Sequence, residues 1–145
     1  MLDCVAGALV SKGITLGELG RSKEAIAVYD DVVWRFGTAT EPALRELVAK
    51  ALFNKGGALR KLDRSKEAIA VYDDVVGRFG TATEPALREL VANALFNKGG
   101  TLSVLDRSNE AIAVYDDLLA RFGSATELPL LEWVAKAKSA RDRLR

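Results

Sequence analysis

The stretch Arg21-Ser22-Lys23-Glu24-Ala25-Ile26-Ala27-Val28-Tyr29-Asp30-Asp31 decides the fold, because it comes back. It returns unchanged from Arg64 to Asp74, and from Arg107 to Asp117 with Asn109 in place of the lysine. The spacing is 43 residues each time. Working outward, residues 21–63 and 64–106 differ at only five positions: Trp34/Gly77, Lys50/Asn93, Ala58/Thr101, Arg60/Ser103 and Lys61/Val104. A fixed period of this size predicts an array of like units, each burying its apolar face against its neighbours.

Two helical patterns make up each unit. In the shorter, from Lys66 to Phe79, Ala68, Ile69, Tyr72, Val75, Val76 and Phe79 recur at helical spacing. Ser65 is expected to cap its start, Arg78 to sit in its last turn, and Gly80 to take the left-handed conformation that ends it. The longer begins near Pro85, a first-turn residue, and carries Leu87, Leu90, Val91, Ala94, Leu95, Leu102 and Leu105 before stopping at Asp106. No stretch alternates with period two over a strand length, so an all-α fold is predicted. About seven helices are expected, at 3–19, 23–36, 42–62, 66–79, 85–105, 109–122 and 129–143. They group as repeats at 3–36, 42–79 and 85–122 with a closing helix at 129–143, in a single domain covering 1–145. The tail from Ala135 to Arg143 is more polar than its counterparts, as a solvating end helix should be.

The composition excludes several functions. The 145 residues carry 21 basic and 20 acidic side chains, a net charge of +1, and 49% hydrophobic residues. Such a balance suits a soluble globular chain and does not favour nucleic acid or an acidic membrane surface. There is no histidine, which removes His-based triads, His acid–base catalysis and His-ligated metals. Cys4 is the single cysteine, so no internal disulfide forms and a reducing compartment is expected. The apolar run Leu2–Val10 is short, carries Asp3 and lacks a basic leader. It reads neither as a signal peptide nor as a membrane span, and the cytoplasm is the expected location.

The units resemble the tetratricopeptide repeat, whose signature runs W-x2-L-G-x2-Y, then A-x3-F, then P. The second unit has Leu52-x2-Lys55-Gly56-x2-Leu59 and then Ala68-x3-Tyr72. The first has Leu9, Lys12, Gly13 and Leu16 with Ala25 and Tyr29, and the third Leu95, Lys98, Gly99 and Leu102 with Ala111 and Tyr115. This chain departs from the pattern in three ways. Its period is 43 against about 34 for the family, with the surplus in Gly80–Pro85 and the start of the next helix. Gly37, Gly80 and Gly123 replace the proline. A lysine replaces the leucine. The resemblance implies a right-handed α-solenoid of helix-turn-helix repeats, with the longer helices lining a concave groove where peptides bind.

On a helical wheel, Leu44, Leu47, Val48, Ala51, Leu52, Leu59 and Leu62 share one face, and Lys55 falls inside it. A lysine there must snorkel or find an acid. An inter-helix ion pair with Asp30, Asp31, Asp73 or Asp74 is the favoured reading for Lys12, Lys55 and Lys98. The competing ones are a row of groove cations gripping an anionic peptide, and a catalytic lysine that no second catalytic group accompanies. The pairs Asp30–Asp31, Asp73–Asp74 and Asp116–Asp117 point about 100° apart on a helix and cannot converge on one metal ion. Gly56-Gly57 and Gly99-Gly100 lie within helices, so they are not phosphate loops. The first of each pair allows close packing, and the second leaves a shallow place on the opposite face. No catalytic residue, metal site or cofactor is expected.

Opposite the core face stands Phe53, with equivalents Phe96 and Val10. Lys50, Asn54, Gly57, Arg60 and Lys61 surround it. The expected ligand groove comprises Phe53, Phe96, Asn54, Asn97, Lys50, Arg60 and Lys61, unless the phenylalanines pack on a neighbouring helix instead. By resemblance, Phe53 and Asn54 match family ligand-contact positions. The family's carboxylate clamp is not reproduced, since Phe53 and Gly57 stand where its lysine and asparagine would be. The expected function is a non-enzymatic protein- or peptide-binding scaffold. The alternative is self-assembly into a homo-oligomer through the repeat ends, using Leu9, Val10, Leu130, Trp133 and Val134.

Overall fold

The computed structural model describes residues 1–145. It contains seven helices and no strand: α1 Leu2–Glu18, α2 Ser22–Phe36, α3 Pro42–Lys61, α4 Ser65–Phe79, α5 Pro85–Val104, α6 Ser108–Phe122 and α7 Leu128–Leu144. The expected all-α array of helical hairpins is what forms. Two compact units divide the chain at Asp74/Val75. In the first, α2 packs against both α1 and α3, and α1 and α3 touch each other. In the second, α6 packs against both α5 and α7, and α5 and α7 touch.

Tyrosine on glycine fixes how closely each hairpin closes. A Cβ added at Gly13 would stand 2.4 Å from Tyr29 Cε1; at Gly56, 2.5 Å from Tyr72 Cε1; at Gly99, 2.4 Å from Tyr115 Cε1. The three tyrosines are buried. Only glycine lets the ring lie on the facing backbone, so sequence and packing are joined at these six positions.

The turn inside each hairpin is also repeated. Asp63 and Asp106 have φ of 61°, and Gly20, their equivalent, has φ of 78°. Arg64 N–H donates to the Leu59 carbonyl at 2.9 Å, and Asp63 N–H to that of Arg60 at 3.0 Å. This pair of bonds closes a Schellman-type end. The left-handed residue therefore sits after the long helix, not after the short one. Gly37 and Gly123 are right-handed, with φ of −63° and −61°, and Gly80 has no positive φ. Crowding accounts for that glycine, since a Cβ at Gly80 would lie 2.4 Å from the Val76 carbonyl oxygen. Nor do the serines cap. Ser22, Ser65 and Ser108 are the first helical residues, and Arg21 and Arg107 hold the N-cap with no side-chain cap bond. The preceding arginines instead pair with first-turn glutamates, Arg21 with Glu24, Arg64 with Glu67 and Arg107 with Glu110. Those carboxylates also suit the positive end of the helix dipole.

Candidate ligand groove

The lysine in the apolar stripe finds its acid. Lys55 Nζ on α3 lies 2.6 Å from Asp30 Oδ1 on α2. One repeat beyond Lys98 stands Arg141, whose Nη1 lies 3.1 Å from Asp116 on α6. The paired aspartates diverge: Asp30 goes to Lys55 while Asp31 accepts from Arg35 at 2.9 Å. No three His, Cys, Asp or Glu side chains converge on one point.

Between α1 and α3 the first unit has a cleft of about 180 Å³. Ile14, Gly17 and Glu18 form one wall, Asn54, Gly57, Ala58 and Lys61 the other, and Ala25 and Tyr29 of α2 the floor. Two glycines keep it open, since a Cβ at Gly17 or Gly57 would meet nothing within 4 Å. Burial pushes the Tyr29 phenol's pKa up, and the Glu18 carboxylate adds to the shift. The phenol can donate a hydrogen bond. Glu18 and Lys61 put one charge of each sign on the opposing walls.

Of the expected groove residues, this cleft brings together Asn54 and Lys61. Lys50 is exposed and lies 3.2 Å from Glu46, one turn earlier. Arg60 is exposed. Phe53 is half-buried, its ring centroid 6.1 Å from that of Tyr72. In the second unit Phe96 is half-buried between two rings, 5.8 Å from Tyr115 and 5.5 Å from Trp133. Lys136 Nζ covers the indole at 4.6 Å. Asn97 is half-buried. Val10, the equivalent of Phe53 on α1, is buried. So is Leu130, which removes both from the residues expected at an assembly contact.

Sequence reasoning missed Ile14, Gly17 and Glu18. The available signal was Gly17, which stands where the next copies have Arg60 and Ser103. It also missed a cleft of about 170 Å³ in the second unit, lined by Gly80, Thr81, Ala82, Val91 and Arg121 among others. There Arg88 lies 5.6 Å from the Phe122 ring centroid and pairs with Glu127.

No helix is long and apolar enough to cross a membrane. No curated protein matches the chain. The family model of the tetratricopeptide repeat matches residues 49–78, from the third turn of α3 to the end of α4. The match leaves the loop 37–41 and the first turns of α3 outside, so the residues that lengthen the period lie upstream of an ordinary hairpin. The glycine–tyrosine seat of that hairpin is repeated at Gly13–Tyr29 and Gly99–Tyr115, and together with the match over residues 49–78 it supports assigning the chain to the tetratricopeptide repeat family.

Proposed function

We propose that the chain is a non-enzymatic scaffold that binds a peptide segment of a protein partner. The match of residues 49–78 to the tetratricopeptide repeat supports a protein-interaction role in general. The observation that supports a groove is the α1–α3 cleft, whose two facing glycines leave room for a ligand side chain. In this reading Asn54 bonds the ligand backbone, Phe53 flanks it, and Lys50, Arg60 and Lys61 attract acidic residues. On the second unit Phe96 and Asn97 take the same roles. A cytoplasmic location belongs to this reading.

The test fills the cleft without disturbing the fold. Peptides selected on the wild-type chain from an array are titrated against Gly57→Leu and Gly17→Leu. Binding is expected to weaken at least about tenfold with no loss of melting temperature. Full affinity with both positions filled would refute the groove.

A further inference from the structure

Beside the α4–α5 loop, residues 80–84, the second unit holds a cleft that the peptide reading does not use. Its volume is about 170 Å³, below the roughly 300–1,000 Å³ of sites for drug-sized ligands, so it has room for one ring or a short alkyl chain. The floor is apolar: Phe79, Phe122 and Val91 line it and are buried. The rim is cationic. Arg88 of α5 and Arg121 of α6 both line the cleft, with the exposed Thr81 of the loop beside them.

The chain does not use up either guanidinium. Arg88 holds Glu127 through Nη1 and stands 5.6 Å from the Phe122 ring centroid. Arg121 holds Asp117 through Nε, at 3.1 and 3.2 Å from its two oxygens. A guanidinium has five N–H donors, so each arginine keeps several beyond its own acid. The Nη1 of Arg121 is turned to the loop. It would lie 3.0 Å from a Cβ at Gly80, and the bare glycine is what lets it come so near. Neither Asp117 nor Glu127 lines the cleft. The next copy of the repeat does not keep the pair, since Leu131 stands where Arg88 does.

Charge and shape together select the ligand. The two arginines and their two acids sum to zero, so a dianion would leave the cluster more strongly negative than a monoanion would. A bare inorganic anion also gains nothing from an apolar floor. A carboxylate matches the fork of a guanidinium, and an apolar body behind it covers Val91 and the two rings. We propose that this cleft binds a small free carboxylic acid as its anion, an aryl or short alkyl carboxylate, with the charge on Arg88 and Arg121 and the apolar body on the floor. The site is separate from the α1–α3 cleft and does not depend on peptide binding there.

The probe is benzoate, titrated at neutral pH against the full chain and followed by the backbone amide shifts of Gly80, Thr81 and Ala82. Saturable shifts are expected, with a dissociation constant of about a millimolar or below. Benzamide has the shape without the charge, and acetate the charge without the ring. Each should bind at least about tenfold more weakly. Inorganic phosphate at equal concentration should not displace benzoate. Arg121→Gln should weaken benzoate binding at least about tenfold, and because the pair it breaks is exposed the melting temperature should hold. Thr81→Glu, a change on the exposed loop, should weaken binding as well, by supplying a carboxylate of the chain's own to the same arginines. No saturable shift in the millimolar range would overturn the proposal, as would benzamide binding as well as benzoate. Full benzoate affinity in either variant would do the same. Displacement by phosphate would make the cleft an unselective anion site. N-acetylphenylalanine binding at least about tenfold tighter than benzoate would assign the carboxylate to the end of a peptide chain, and the small free acid would be the wrong ligand.

Discussion

Gly56 and Tyr72 are in contact, the tyrosine ring lying on the bare backbone of the glycine so closely that a Cβ would stand 2.5 Å from Cε1. Its neighbour Gly57 faces open space. Two adjacent helical glycines should therefore respond oppositely to the same change. Gly57→Ala should stabilise by about 0.5–1 kcal/mol, the helix-propensity gain alone. Gly56→Ala makes the same gain but forces the ring away, and overpacking of about 1–3 kcal/mol outweighs it. Urea denaturation of the two variants checks this, and equal signs would contradict the packing.

The ring itself should matter more than any other side chain of α4. Tyr72 is fully buried and contacts both Gly56 and Phe53. Tyr72→Ala should cost about 3–5 kcal/mol, the range for large-to-small aromatic changes in a core. A melting curve like that of the wild type would refute the helix register.

Asp63 holds φ of 61° where the first repeat has Gly20 at 78°. A left-handed L-residue costs about 1–2 kcal/mol, and the extra freedom glycine gives the unfolded chain offsets about 0.4–1 kcal/mol of any relief. Asp63→Gly should therefore stabilise by about 0.5–1 kcal/mol. Gly20→Ala should destabilise by about 1 kcal/mol. Thermal unfolding of the two variants should shift in opposite directions.

Those turns show where the sequence is legible and where it is not. The helices follow from period and apolar spacing because the 43-residue repeat states each of them more than once. The Lys55–Asp30 pair was also legible, since an ammonium within an apolar stripe must find an acid. The left-handed position was misread. Glycine after the short helix is the stronger local cue, but Gly80 is there to avoid the Val76 carbonyl, and the fold places its positive φ at aspartate. Only the alignment of Gly20 with Asp63 and Asp106 carries that information. The cleft was half legible. A wheel puts Asn54 and Lys61 on the face away from the stripe, but it cannot say that Gly17 across from them leaves the space unfilled. Phe96 is the same problem reversed, since its second ring partner, Trp133, stands where α3 and α5 have Leu47 and Leu90.

Exposure decides what removing the Lys55 amine does. Lys55 is 25% and Asp30 52% exposed, so Lys55→Met leaves a solvated carboxylate behind and not a buried charge. The change should cost no more than about 1 kcal/mol, as for partly exposed pairs. A double-mutant cycle with Asp30→Ala measures the pair directly, and a loss several times larger would mean that the aspartate is desolvated.

Phe53 and Phe96 occupy equivalent positions but should not behave alike. Phe53 meets one ring, that of Tyr72 at 6.1 Å. Phe96 sits between two, Tyr115 at 5.8 Å and Trp133 at 5.5 Å. Each aromatic pair adds about 0.5–1.5 kcal/mol beyond the area it buries, so Phe96→Ala should destabilise more than Phe53→Ala by about that amount. Phe96 also joins α5 to α7, so its loss should loosen the last helix first. Hydrogen exchange would then show Leu130–Leu144 amides losing protection in Phe96→Ala while those of α1 keep theirs. Phe53, with less to lose in the fold, is the ring more available to a ligand. Its truncation should weaken binding of array-selected peptides by at least about 2 kcal/mol, more than it weakens the fold. Equal stability losses at the two positions, with no separable effect on binding, would make both rings core residues and leave Asn54 and the two cleft glycines as the only support for the groove.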